Sequence, residues 1–205
     1  MATPSVTSIV KTGAVLWVAP SGESKPDETS VAYGGDWGGN WERVGYTKEP
    51  LKMKYDSEEA EVEVEEELAA VKRYRNKEGV TLETVLAELT AEYLQLAASN
   101  QDTVDETAAG GSQKPYEETG LGGEAILTEK AWGFEGLYVD SSGNEEPIRV
   151  FVHKGTAMIN GELEFSQKTD DYVGIPIQIK ALSDTTQSAG QRLVLMQRVT
   201  GEASS

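Results

Sequence analysis

The chain has 205 residues, of which 35 are Asp or Glu and only 18 are Lys or Arg, so its formal net charge is -17. A chain this acidic repels nucleic acid, which argues against a surface that binds phosphates, and the absence of cysteine excludes disulfides, thiolate zinc sites and cysteine nucleophiles. We expect a single domain over residues 1–205. We expect neither a signal peptide nor a membrane span, because no basic segment precedes an apolar block and no run of about 18 apolar residues occurs.

The N-terminal region predicts one strand and one long loop. Residues 7–18 are rich in β-branched and apolar side chains and lead to Pro20, a pattern typical of a strand. Residues 19–40 are rich in Gly, Ser and Pro, which favours a loop too long for a simple turn. A second long, polar loop is expected at residues 101–123. Because loops of more than about 15 residues are usually functional or ordered by a partner, we interpret both as contact arms.

The most informative stretch covers residues 59–77, EAEVEVEEELAAVKRYRNK, in which carboxylates alternate with apolar side chains. Alternate residues of a strand share a face, so we expect one packed and one charged face. Neighbours on one face lie roughly 7 Å apart, where like charges repel unless water, salt or cations relieve them. Two interpretations stay open: the acidic face is solvated, or it pairs with the following cations within or between subunits. The carboxylates are Glu59, Glu61, Glu63 and Glu65, the apolar residues are Ala60, Val62 and Val64, and the cations are Lys72, Arg73, Arg75 and Lys77.

The middle of the chain predicts three strands and one short helix. The strands are expected at residues 49–56, 60–67 and 79–89. After them the period changes: Thr90 suits an N-cap, and Glu92 falls in the first turn, where the helix dipole favours an anion. The helix is expected to end at Ser99 and Asn100, with an apolar stripe made of Tyr93, Leu94, Ala97 and Ala98.

From residue 124 onward the pattern is again that of strands. We expect strands over 125–139, 148–159, 172–184 and 192–199, with a turn at 140–147. Asn160-Gly161 predicts a tight hairpin into residues 162–165, because both central positions of a type I′ turn need positive φ, and Pro176 is expected at an edge or bulge. The whole chain therefore predicts eight to ten strands and one short helix, in an antiparallel β-sandwich or barrel. One face of the strand at 172–184 is expected to carry Val173, Ile175, Ile177, Ile179 and Ala181.

The sequence offers little catalytic chemistry. His153 is the only histidine, which excludes a histidine-rich metal site, and no recognisable catalytic constellation accompanies it. We therefore predict no catalytic residues, no cofactor and no metal site.

Six segments follow one another in a specific order and spacing: GAVLWVAP, NWERVGYTKEPLKMKYD, EVEVEEELAAVKRYRNKEGVTLETVLAEL, TAEYLQLAAS, IPIQIKALSD and RLVLMQRV. This order resembles the major tail tube proteins of long-tailed, non-contractile (siphovirus-type) bacteriophages, over most of the chain. The resemblance implies a mainly β fold, a two-sheet antiparallel sandwich with one short flanking α-helix and extended loops. It also implies hexameric rings that stack head to tail into a hollow tube through which DNA leaves the capsid.

The resemblance also implies partners and a location. The partners are further copies of the chain, a tape measure protein, a tail terminator and distal tail proteins, with transient, non-adhesive passage of DNA and no membrane. The location is the virion tail, after assembly in the cytoplasm of the host bacterium. The loops at 19–40 and 101–123 then serve as inter-subunit contact arms.

Charge connects this resemblance with the residues. Six copies would carry a net charge of about -100, and the share that faces a narrow channel would keep phosphates from adhering. We predict that the lumen-facing carboxylates are Glu59, Glu61, Glu63, Glu65 and Glu83. We predict that the inter-subunit contacts include Arg73, Arg75, Lys77, Trp37, Trp41 and Tyr46.

A second hypothesis is a carbohydrate-binding or adhesin module. Tyr33, Trp37, Trp41 and Tyr46 gather around the glycine-rich loop, and in an isolated β-sandwich such rings could stack on sugars. In the tube interpretation the same aromatic side chains are interface anchors. A stable monomer that binds glycans would favour the module, whereas rings or tubes would favour the tail protein.

Overall fold

The computed structural model describes residues 13–26, 32–67, 69–100, 104–139, 143–165 and 172–199. These ranges contain ten strands and one helix, in agreement with the mainly β fold that the sequence predicts. In chain order the elements are β1 Val15–Pro20, β2 Glu42–Val44, β3 Lys52–Val62, β4 Lys72–Leu86, α1 Ala91–Ala98, β5 Asp105–Thr107, β6 Tyr116–Glu118, β7 Lys130–Val139, β8 Glu145–Ile159, β9 Ile175–Ala181 and β10 Leu195–Arg198.

Eight of the strands form one antiparallel sheet in the order β2-β1-β7-β8-β9-β4-β3, with β10 also paired to β8. The long strand β8 belongs to both halves of this sheet. Its residues up to Gly155 pair with β7, with a register shift after Val152, and its residues from Gly155 onward pair with β9. The strands β5 and β6 form a separate two-stranded sheet.

The main hydrophobic core shows that the sheet folds over itself into a sandwich. Leu16 of β1 and Leu82 of β4 are both almost fully buried in one cluster, although β7, β8 and β9 lie between β1 and β4 in the sheet order. Side chains from distant strands meet in this way when two halves of a sheet pack face to face. The antiparallel sandwich with a single short helix is therefore confirmed.

A second, aromatic cluster covers the opposite face of β1. Because side chains alternate along a strand, Leu16 and Val18 face the main core while Trp17 and Ala19 face this second cluster. The ring of Trp37 stacks on Trp17 with a centroid distance of 5.0 Å. Gly133 of β7 lies directly beneath that ring, and a Cβ at this position would collide with it. The cluster is completed by Trp41, Ala131 and Phe151.

The helix α1 follows the local signals of the sequence closely. The Thr90 Oγ1 accepts a hydrogen bond from the Tyr93 backbone N–H at 3.1 Å, as an N-cap does. At the other end Ser99 adopts the left-handed conformation with φ 49° and its backbone N–H donates to Leu96. The buried Ser99 Oγ accepts a bond from the Ala157 N–H of β8, which anchors the end of the helix to the sheet.

The strand β9 confirms the predicted alternation, since Ile175, Ile177 and Ile179 are all buried. Pro176 lies in a central strand, contrary to the expected edge or bulge. Proline has no N–H to donate, but the pairing of β8 with β9 ends at Ile159–Ile177, next to Pro176. Just beyond that pair, the Pro176 carbonyl still accepts a hydrogen bond from the Asn160 N–H.

Several predicted boundaries are wrong, and the two strands expected at 49–56 and 60–67 are one strand, β3. Residues 162–165 after Asn160-Gly161 form no strand, because β8 pairs with β9 instead of with the next segment. The strand expected from residue 125 begins only at Lys130. The loop expected at 101–123 contains the short strands β5 and β6, although residues 101–103 lie outside the described ranges.

Candidate assembly surface

The hairpin of β3 and β4 extends beyond the body of the sandwich. The strand β4 pairs with β9 only from Thr81 onward, so its first nine residues have β3 as their only neighbour in the described sheet. We call residues 52–67 and 69–78 the arm. Nearly all of its side chains are exposed on both faces, whereas burial begins at Val80. The arm therefore projects into solvent in the isolated subunit.

The acidic ladder runs along only part of this arm. Glu59 and Glu61 lie in β3 and share one face, opposite the face of Ala60 and Val62, as the period of two predicts. The strand expected over residues 60–67 ends at Val62, however, so Glu63 and Glu65 lie in the connection between the strands. The ladder is thus split between a strand face and a loop.

The cations that follow the ladder pair within the chain. The Arg73 Nη2 lies 2.6 Å from Glu61 Oε1, and Arg73 stands directly opposite Glu61 in the register. Arg75 stands opposite Glu59 and reaches Glu78 at 3.1 Å, while Lys77 lies 3.4 Å from Glu58. These pairs are exposed, and exposed pairs add little stability, so they leave the same side chains open to exchange with a neighbour.

Glu83 lies on the opposite face from Glu59 and Glu61. It stands opposite Lys52, and Lys52 is separated from Glu59 by an odd number of positions along β3, which places the two side chains on different faces. Gln178 Nε2 donates to Glu83 Oε1 at 2.5 Å. The five predicted lumen carboxylates therefore do not share one surface of the subunit.

The arm also exposes apolar side chains, among them Val62 and Val64, which the sequence pattern predicts to be packed. Val62 is 38% exposed and Tyr74 is 50% exposed, although Ala60, which stands opposite Tyr74, is half-buried. Large apolar groups clustered on a projecting element mark a surface that another molecule covers. The set comprises Met53, Tyr55, Val62, Val64, Val71 and Tyr74.

The outer edge of the sheet is also open along the arm. The strand β3 has 11 residues and is the last strand in the sheet order. Its outward N–H and C=O groups have no strand partner among the described residues. A long open edge of this kind is a template for pairing with another chain.

The structure places the predicted aromatic contacts in two different environments. Trp37 and Trp41 are only 4% and 7% exposed, in the second cluster of the same chain. In this conformation their rings are not surface anchors, because the chain's own β1, β7 and β8 cover them. Tyr46 is 70% exposed, with Arg43 over its ring. The carbohydrate hypothesis thereby loses both tryptophans as stacking platforms.

A buried ion pair lies beneath this aromatic cluster, and the sequence reasoning missed it. Arg149 Nε donates to Glu135 Oε1 at 2.8 Å, and both side chains are fully buried. The Gly34 backbone N–H donates to the other Glu135 oxygen at 2.7 Å, and the Trp37 ring lies over the guanidinium. The signal was present: each charged residue interrupts an otherwise apolar strand, GFEGLYV or IRVFV.

The remaining polar chemistry is sparse. Burial lowers the pKa of His153, an effect opposed by the negative charge of Asp184. In the described ranges, no group of three or more His, Asp or Glu side chains is arranged to hold a metal ion. Within the same ranges, no helix has the length and apolar character that crossing a membrane requires.

An antiparallel sandwich with an exposed arm and an open sheet edge has the features of a structural subunit that associates with copies of itself. The chain matches the family model of phage tail tube proteins over residues 1–196, and it belongs to that family. It is therefore a structural component of the phage virion that self-assembles into a tube. The comparison with curated proteins returned no match. Membership of a family of structural proteins favours the expectation that the chain is not an enzyme.

Proposed function

We propose that six copies form a ring and that the rings stack head to tail into a siphovirus-type tail tube, which conducts genomic DNA to the host. The observation that carries this proposal is the arm, whose two exposed faces and open β3 edge need covering. Pairing the β3 edge of each copy with the next copy around a closed ring would leave no β3 edge open. Tape measure, terminator and distal tail proteins would complete the tail, assembled in the host cytoplasm.

The apolar face of the arm provides the first test. Replacing Val62 and Tyr74 with serine is expected to abolish rings and tubes, because both side chains are exposed in the subunit and would be buried on assembly. Their loss should change the stability of the monomer little, since exposed positions contribute within about 0.5 kcal/mol. Size-exclusion chromatography and negative-stain microscopy at high protein concentration measure the outcome.

The matched control for this test is Phe165→Ser. Phe165 is 74% exposed, more than either arm residue, but lies outside the arm. The Phe165→Ser substitution should leave assembly intact. The proposal is refuted if the protein without substitutions stays monomeric at every concentration. It is also refuted if the variant with serine at positions 62 and 74 forms normal tubes.

The wall of the channel is the second part of the proposal. The face that carries Glu83 is the outer face of the β9-β4-β3 region, since alternate residues of β4 such as Leu82 face the core. We propose that the part of this face next to the body of the sandwich lines the channel, whereas its far end, with Val62 and Tyr74, is covered by a neighbouring copy. Lys52 and Lys54 share it with Glu83, so Glu83→Lys would place a third cation beside these two. Glu63 and Glu65 in the connection remain proposed lumen carboxylates.

Two charge reversals test which face of the β3–β4 hairpin lines the channel. Glu83→Lys is expected to slow DNA ejection, because a cationic wall holds phosphates, whereas Glu61→Lys on the other face should slow it less. Ejection from assembled phage is followed by the fluorescence of a DNA-binding dye. If neither reversal changes the rate, the arm and its sheet do not form the channel wall.

A further inference from the structure

The separate hairpin of β5 and β6 carries its charges in an unfavourable arrangement. Asp105 stands directly opposite Glu118, and Glu106 directly opposite Glu117. Like charges opposite each other across two strands destabilise the pairing, and an isolated two-stranded sheet is marginally stable in water even without them. The hairpin therefore lacks, within the subunit, what would hold its strands together.

No neighbouring part of the described chain supplies that support. All residues from 108 to 118 are exposed, and none of the four carboxylates forms an ion pair with a described Lys or Arg. Tyr116, at the end of the same hairpin, exposes about half of its ring surface. The hairpin thus presents four carboxylates, one cation, Lys114, and one aromatic ring to an outside partner.

A groove of complementary character lies on another side of the chain. Its volume is about 270 Å³, and it runs between the arm and the segment 189–194. Arg75 and Arg192 line it, and Glu78 is the one carboxylate among its lining residues. Tyr55, Leu193 and Val194 provide apolar walls, which suit an aromatic side chain. The groove therefore offers the guanidinium of Arg192, that of Arg75, which Glu78 contacts at 3.1 Å, and an apolar surface.

We infer that the β5–β6 hairpin of one copy docks into the arginine-lined groove of another copy. In this contact Arg75 and Arg192 neutralise the carboxylates of the hairpin and Tyr116 packs on the apolar walls. The two surfaces lie on different parts of the same chain, so the contact is heterologous and repeats from copy to copy. The inference rests on the proposed tube, and it assigns the second long loop its partner.

A charge swap tests this contact. The hairpin variant Glu106→Lys/Glu117→Lys makes one of the two facing pairs cationic, so the charge of the four facing positions falls from -4 to zero while like charges still face each other within each pair. This variant and the groove variant Arg75→Glu/Arg192→Glu are each expected to raise the protein concentration needed for assembly about tenfold or more. The four-fold variant, in which the new cationic pair of the hairpin can face the new carboxylates of the groove, is expected to return toward the unchanged value.

The control is Glu162→Lys/Glu164→Lys, which makes the same change in net charge at exposed positions outside both surfaces. Circular dichroism confirms the fold of each variant, and light scattering measures assembly. The inference is overturned if the hairpin variant assembles like the control, or if the four-fold variant assembles no better than either parent. Normal tubes from every variant would overturn this contact alone, whereas no assembly by the unchanged protein would overturn the tube as well.

Discussion

Replacing Arg149 with methionine is expected to lower the free energy of unfolding by about 3–5 kcal/mol, because it leaves the Glu135 carboxylate buried without its cation. Both side chains are fully buried and lie 2.8 Å apart. The loss should extend to the glycine-rich loop, since Glu135 also holds the Gly34 N–H. Urea denaturation followed by tryptophan fluorescence measures the change.

The double variant Glu135→Gln/Arg149→Met is the informative comparison. The amide oxygen introduced by Glu135→Gln would still accept a bond from the Gly34 N–H, but the side chain would carry no charge, so much of the lost stability should return. A double variant whose loss of stability equals or exceeds the sum of the two single losses would contradict this account, because the two charges would then not support each other.

Replacing Trp37 with alanine is expected to lower the free energy of unfolding by a similar amount, about 3–5 kcal/mol, as removal of a buried aromatic ring does. The ring contacts Trp17, Trp41 and Phe151 at centroid distances of 5.0 to 5.3 Å. Gly133 has no side chain with which to fill the space left behind. Thermal unfolding of the monomer measures the effect.

Tyr46→Ala provides the contrast. Its ring is largely exposed, so the monomer should lose no more than about 0.5 kcal/mol, while assembly should weaken if Tyr46 is an inter-subunit contact. Equal losses of monomer stability from Trp37→Ala and Tyr46→Ala would show that the aromatic cluster does not act as a core.

The helix was the most predictable element, and the reason is that its signals are local. Thr90, Glu92 and Ser99 act on backbone groups within one turn of themselves, so their identity fixes both ends of α1. The alternation of β9 was predictable for a similar reason, because a strand with one buried face repeats every two residues.

The arm was predictable in its alternation but not in its environment. A period of two distinguishes the face of Glu61 from that of Val62, yet it does not indicate whether another layer covers the apolar face. Whether that face is covered depends on where the pairing of β9 with β4 ends, which is at Thr81. The strand β9 is far from the arm in sequence. The same limit applies to Trp37 and Trp41, whose burial depends on how the loop folds back over β1 and β8, and to Glu135, whose partner is fixed by the register of β7 on β8.

The continuity of β8 has a mechanical consequence. Backbone hydrogen bonds connect β3 to β4, β4 to β9, and β9 to β8, and the same β8 then carries β7 and β10. A pull along the strands at the tip of the arm therefore loads the successive ladders in shear. Through the unbroken strand β8 it reaches both layers of the molecule. We therefore expect the two layers to resist such a pull together, a property that suits a subunit of a tube.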